Sequence, residues 1–518
     1  VLTQDEVAKV HRHWVGDANL IGFPDAEKDS RAWPYWESSI FLSLPRFQSV
    51  SSGKANLIIG RKGSGKTAVL TAAERITAAN HSSSEVDRTV IPGNAQKLVD
   101  AATNDFHLRN QVGYGAVEVW HKAFACEILK AFAGELSGHA LVDDAEVKVR
   151  NWALRQGFVA EDFGERLVAG ARVLFPEIRK RTAGSSGTPM LSEEHVQALL
   201  QRSKYTLFVD NFDNPSKAGK RNSRLGTELA QSAIEAADIL SAVYAAPNVS
   251  LLIREDLWLR CRIGWHYLDK VSMPQWLLWT PDQLKEFVRR RLAVAVSIAL
   301  DEPLDKRIKE PFDSLWEMFF PPSVRLRNGA VSQGFTYVLR RTMYTPRDLQ
   351  TFLQLAIHGT DELPLSEDNI LNAEEQFSRE RLQYLINEFG DLCDGLAECL
   401  HSFAGHPLDW KTSDLRSHLR GLMGQGMVSP SRAACADTSS VLDLMRFLFR
   451  IGFLEVRLQD REGVNDGRWE VRDGLRHPDH WRGARLDDSV HWAVRSTFYA
   501  ALRSYRPERG SGRRRERA

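Results

Sequence analysis

The octapeptide Gly60-Arg61-Lys62-Gly63-Ser64-Gly65-Lys66-Thr67 constrains this chain more than any other stretch, because it fills every fixed position of the pattern G-x-x-x-x-G-K-[ST]. Such a loop curls around a phosphate chain with its backbone N–H groups turned inward, and side chains at the glycine positions would obstruct that curl. The phosphate-binding set is therefore Gly60, Arg61, Lys62, Gly63, Ser64, Gly65, Lys66 and Thr67. Lys66 is placed to reach the β- and γ-phosphates and Thr67 to hold Mg²⁺. The flanks agree: Leu57-Ile58-Ile59 reads as a buried strand, and Thr67 to Glu74 as a helix of good formers. That order predicts an α/β chain with a parallel sheet.

A second half-site lies far downstream. Tyr205-Thr206-Leu207-Phe208-Val209-Asp210 is an apolar strand ending in an acid. In phosphate-binding sheets of this kind such a strand lies beside the P-loop strand, and its carboxylate reaches the magnesium shell at the carboxyl edge. Asp210 is accordingly the second metal residue. The next position is Asn211, which cannot take a proton at neutral pH. Asp213 is thus either the water-orienting acid or a cap on the turn that follows. Val249 to Ile253 reads as a third strand running into Arg254, a cation placed either to sense the γ-phosphate or to pair with Glu255 or Asp256. Tyr344-Thr345-Pro346-Arg347 opens an amphipathic helix, which makes Arg347 a second candidate phosphate sensor.

These residues together resemble the AAA+/STAND-type P-loop ATPases, in particular a bacterial group with a G-R-K-G-S-G-K loop, over about residues 50–360. The resemblance implies an ASCE-type sheet with an added strand between the P-loop and Walker B strands, a helical lid and a downstream winged helix. It also implies sensor-like roles for Arg254 and Arg347, and functions as switches or assembly ATPases, several of them in bacterial defence against phage or in DNA transactions. Asn211 departs from the second acid common in such relatives, which predicts slow turnover.

The rest of the chain bounds the setting. Its 518 residues allow two to four domains, and 68 basic against 67 acidic residues leave nucleic-acid binding to local patches. Five cysteines without a C-x-x-C pair suggest neither a disulfide framework nor zinc. No apolar run is long enough for a membrane helix and no leader pattern opens the chain, so a cytoplasmic location is expected. The pattern divides into a lead segment (1–50), a nucleotide core (51–265) with a helical insertion at about 116–203, a lid (266–380), a winged-helix-like domain (381–500) and a basic tail (501–518). Within the lead, Trp33 and Trp36 read as core residues or as neighbours of the base. Arg289-Arg290-Arg291 points three ways round its helix and reads as solvated surface, with a finger into a neighbouring subunit as the alternative. Absence of an Asn-Lys-x-Asp segment favours ATP over GTP, so ATP and Mg²⁺ are the expected cofactors. The expected activity is a Mg²⁺-dependent ATPase switch. Candidate partners are a protein effector, further copies of the chain, and DNA; a membrane is not among them. An ATP-regulated DNA binder and an ATP-binding scaffold with little turnover are the rival readings.

Overall fold

The computed structural model describes residues 3–34, 36, 56–79, 89–136, 143–174, 193–212, 220–244, 248–271, 273–326, 329–358, 360–431, 438–459, 469–473 and 490–504. Asp213, Cys435, His477-Pro478 and residues 505–518 of the basic tail lie outside them; residues 501–504, expected to open that tail, are helical, with Ala501 and Leu502 buried. The chain divides into two compact units, one of residues 21–309 with 345–350, the other of residues 1–20, 310–344 and 351–518.

The first unit begins with α1 (Ala26–Ala32), capped by the Asp25 side chain. Its centre is a parallel sheet of β1 (Leu57–Gly60), β2 (Thr89–Asn94), β3 (Tyr205–Asp210), β4 (Asn248–Arg254) and β5 (Gln275–Trp276), in the order β2-β3-β4-β1-β5. All of β1 and β3 is buried, as expected for strands covered on both faces. β2, which carries Pro92, takes an edge, where a missing N–H costs least. The expectation that the Walker B strand lies directly beside the P-loop strand is corrected: β4 intervenes, pairing Gly60 with Arg254 on one side and Leu251 with Val209 on the other. This is the added-strand order that the resemblance implied, so the molecule has a P-loop NTPase fold of α/β class.

Helices cover the sheet. α2 (Lys66–Ala79) follows the P-loop, and α3 (Gln96–Asn104) follows β2. The 31-residue α4 (Phe106–Leu136), α5 (Asp143–Arg155), α6 (Phe163–Val173) and α7 (Glu193–Arg202) precede β3. α4 buries Val119, Trp120, Phe124, Ile128 and Leu129 in the core, where Trp120 packs on Phe212. After α8 (Lys220–Tyr244) and β4 come α9 (Glu255–Cys261) and α10 (Pro281–Leu300). Thr280 and Gln283 close a capping box on α10 with Pro281 inside its first turn, the local reason this helix starts there. α11 (Pro346–Ile357) opens in the first unit and continues into the second.

In the second unit, α12 (Glu367–Phe389) leads to α13 (Leu396–His401), β6 (Asp409–Lys411), α14 (Thr412–Gly424), α15 (Val441–Arg450), β7 (Leu454–Gln459), β8 (Trp469–Asp473), β9 (Val490–Val494) and α16 (Tyr499–Ser504). The four strands form an antiparallel sheet in the order β8-β7-β9-β6. β7 and β8 pair antiparallel, with Leu458 opposite Glu470. The four described cysteines, Cys126, Cys261, Cys393 and Cys399, are buried free thiols; burial pushes that of Cys261 up to about 12. Among the described residues no helix is long and apolar enough to cross a membrane.

Candidate functional site

Gly60, Asp210 and Arg254 end neighbouring or near-neighbouring parallel strands at one edge of the sheet, the edge where α/β sheets hold ligands. The P-loop turns there with Gly63 at φ 85° and Gly65 at φ 95°, a region where a β-carbon is strained. A β-carbon on Gly63 would also come within 2.8 Å of Arg347 Cβ, so glycine is what lets the start of α11 approach the loop.

The polar groups converge across long stretches of sequence. Thr67 Oγ1 donates to Asp210 Oδ2 at 3.0 Å, and Asp210 Oδ1 accepts from the Asn211 N–H at 2.8 Å. Thr67 and Asp210 thus present hard oxygen donors at one point, the chemistry suited to Mg²⁺, which is commonly held by one or two protein oxygens together with substrate phosphates. Lys66 is buried, and its Nζ donates to the carbonyls of Gly60 (2.9 Å) and Arg61 (3.2 Å). Asn211 takes a left-handed backbone at φ 60°, which asparagine tolerates better than most residues. The chain turns sharply there and sends Phe212 into the core.

These groups border a cavity of about 280 Å³. Of the predicted phosphate-binding residues, Lys62, Gly63, Gly65, Lys66 and Thr67 line it, together with Asp210, Arg254 and Arg347. Gly60, Arg61 and Ser64 do not. Arg61 is turned to the buried Glu255, Nε to Oε2 at 2.7 Å, and Ser64 Oγ is buried without a hydrogen-bond partner among the described residues. Arg254 lines the cavity and pairs with Asp256 at 2.9 Å, the pairing given above as the alternative to phosphate sensing. Arg260 holds the other Asp256 oxygen at 2.8 Å. Arg347 donates from Nε to the Pro24 carbonyl at 3.0 Å.

Several lining groups carry no local sequence signal. Phe23, Pro24 and Asp29 come from the lead segment, Trp279 and Phe287 from the entry and first turns of α10, and Gln350 from α11. Trp279 Nε1 donates to the Ser64 carbonyl at 2.8 Å and so fastens the P-loop from outside the motif. Asp29 is held by Arg291 through two bonds (2.8 and 2.5 Å), by the Phe23 N–H and by Trp36 Nε1. The reading of the three arginines as solvated surface is corrected at Arg291, which is wholly buried; Arg289 and Arg290 pair with Glu286 on the same helix. Trp33 and Trp36 are core residues.

The family described as FunZ-associated C-terminal helical domain matches residues 282–386, from α10 into α12. Among solved structures the chain is similar to the Orc1 protein of Aeropyrum pernix, solved in complex with DNA. The two share 12% identity over 89% of this chain and 96% of that one, at a TM-score of 0.31. A likeness at that level defines neither site nor activity. No curated protein matches the chain.

Proposed function

We propose that this chain is a Mg²⁺-dependent ATP-binding switch that hydrolyses ATP slowly and controls a partner protein. The observation that carries this reading is the meeting of Thr67 with Asp210 beside Lys66, at the carboxyl edge of a parallel sheet and on the wall of one cavity. In this reading Lys66 and the loop amides bind phosphate, Thr67 and Asp210 hold the metal, and Asp213 orients water. Arg254 and Arg347 answer to charge at the γ-phosphate. Bound Mg²⁺ supplies charge neutralisation between phosphate oxygens, and the chain's own residues supply position.

Thr345 and Arg347 pack on Gly63 within the first unit, so the start of α11 stands next to the loop that would hold phosphate. Immediately upstream, Tyr344 holds a left-handed backbone at φ 53° with Arg495 over its ring, and Thr497 donates to the Thr342 carbonyl. The order α13-β6-α14-α15-β7-β9, with β6 paired to β9, supports a winged-helix-like module. Its α15 supports a packing role over DNA readout: Leu444, Met445, Phe447, Leu448 and Phe449 are buried, and Arg446 is paired with Asp443 at 2.8 Å. Antiphage defence is the setting we propose, on the resemblance alone.

A second reading, an ATP-stabilised scaffold, is favoured by Asn211, an amide where a second acid is usual. Single-turnover assay with ATP and Mg²⁺, with and without double-stranded DNA, separates the two. The switch releases phosphate above background, loses this in Lys66→Ala and slows in Asp213→Ala. Binding with no release supports the scaffold. DNA-stimulated release would reinstate the DNA-responsive reading.

A further inference from the structure

Gln350 is 4% exposed, lines the cavity and lies about one turn along α11 from Arg347. Its Nε2 donates to the Ile21 carbonyl at 3.1 Å. A carbonyl oxygen can only accept, so the amide is held with its nitrogen toward Ile21 and its oxygen turned the other way. Oε1 has no hydrogen-bond partner among the described residues and is not among the side-chain atoms sealed from solvent. The lead segment and α10 give the same cavity Phe23, Pro24 and Phe287, apolar groups suited to a ring, beside the carboxylates Asp25, Glu27 and Asp29. Lys66, Thr67 and Asp210 supply cationic and metal-binding groups to it. Both Asp29 oxygens are already taken by Arg291, Phe23 and Trp36, whereas the Gln350 oxygen is a neutral acceptor held in a fixed direction within reach of a base extending from a triphosphate on the P-loop.

We infer that Gln350 selects the base: Oε1 accepts from the exocyclic amine of adenine and turns away purines that carry a carbonyl at that position. This rests on the nucleotide reading above. A carbonyl facing Oε1 sets two acceptors against each other and leaves both without a partner in a partly buried site, which costs more than the one bond lost. The absence of a guanine-reading segment removes one route to GTP, whereas Gln350 supplies a positive preference for ATP.

The test is equilibrium binding of ATP and ITP, each with Mg²⁺, to the full chain and to Gln350→Met, which keeps the length of the side chain without its acceptor. ITP differs from ATP in carrying the 6-carbonyl in place of the amine. The unmutated chain is expected to bind ATP about tenfold more tightly than ITP, and Gln350→Met to bring the two within about twofold of each other, chiefly by weakening ATP. The ratio in the unmutated chain needs no variant to fold. Equal binding of ATP and ITP by that chain overturns the inference, as does a ratio unmoved in a folded Gln350→Met. Binding of no triphosphate overturns the nucleotide reading and this inference with it.

Discussion

On the P-loop side of the cavity, Gly63, Gly65, Lys66 and Thr67 come from five consecutive residues and meet one distant partner, Asp210. On the lead-segment side, Asp29 meets Arg291 across 262 residues and Ile21 meets Gln350 across 329. The first side owes its form to backbone conformation, two glycines at positive φ between a buried strand and a helix. The second owes its form to tertiary packing around a buried charge pair. The difference predicts how each fails: the local side through loss of ligand with the fold intact, the distant side through loss of stability.

The largest expected effect tests the distant side. Asp29→Ala removes the partner of a guanidinium with no exposure and leaves it buried, which should cost about 3–5 kcal/mol in a denaturant titration. Pairing Asp29→Leu with Arg291→Met should restore much of that loss. A loss under about 1 kcal/mol for Asp29→Ala would break the comparison, since the pair would then carry no weight in the fold.

Asn211 sharpens the local side. Its left-handed backbone makes Asn211→Val cost about 1–2 kcal/mol, while Asn211→Gly should stay within about 0.5 kcal/mol of the parent. Thermal unfolding of the two variants gives the order, and equal losses would remove the conformational account of Asn211. The smallest effect joins the two sides. Trp279→Phe keeps the ring and deletes the N–H that holds the Ser64 carbonyl, a loss of about 1 kcal/mol expected mainly as weaker nucleotide binding. Unchanged affinity would mean the P-loop holds its shape without that brace.

What was legible in the sequence follows the same division. The P-loop, the Asp210 strand and the β4 strand ending at Arg254 are each written in a few adjacent residues, because turn chemistry and strand burial are local properties. The order of the strands is carried by the resemblance alone: β4 lies between β3 and β1, a fact of topology that no local pattern encodes. Gly113 and Gly115 hide the start of α4 at Phe106, since each costs about 1 kcal/mol against alanine in a helix, and packing of its remaining length overrides that cost. The burial of Arg291 follows from helix geometry: three consecutive helical positions point three ways, and one of them points inward. Trp279 and Gln350 act through one hydrogen bond each to a distant carbonyl, a partner that spacing cannot reveal.

The central claim is that the P-loop side binds a nucleoside triphosphate with Mg²⁺, and calorimetric titration of the full chain with ATP tests it most directly. The account predicts saturable one-site binding that weakens when Mg²⁺ is removed and is lost in Lys66→Ala while the variant remains folded. Binding of ATP by Lys66→Ala with the affinity of the parent would contradict it.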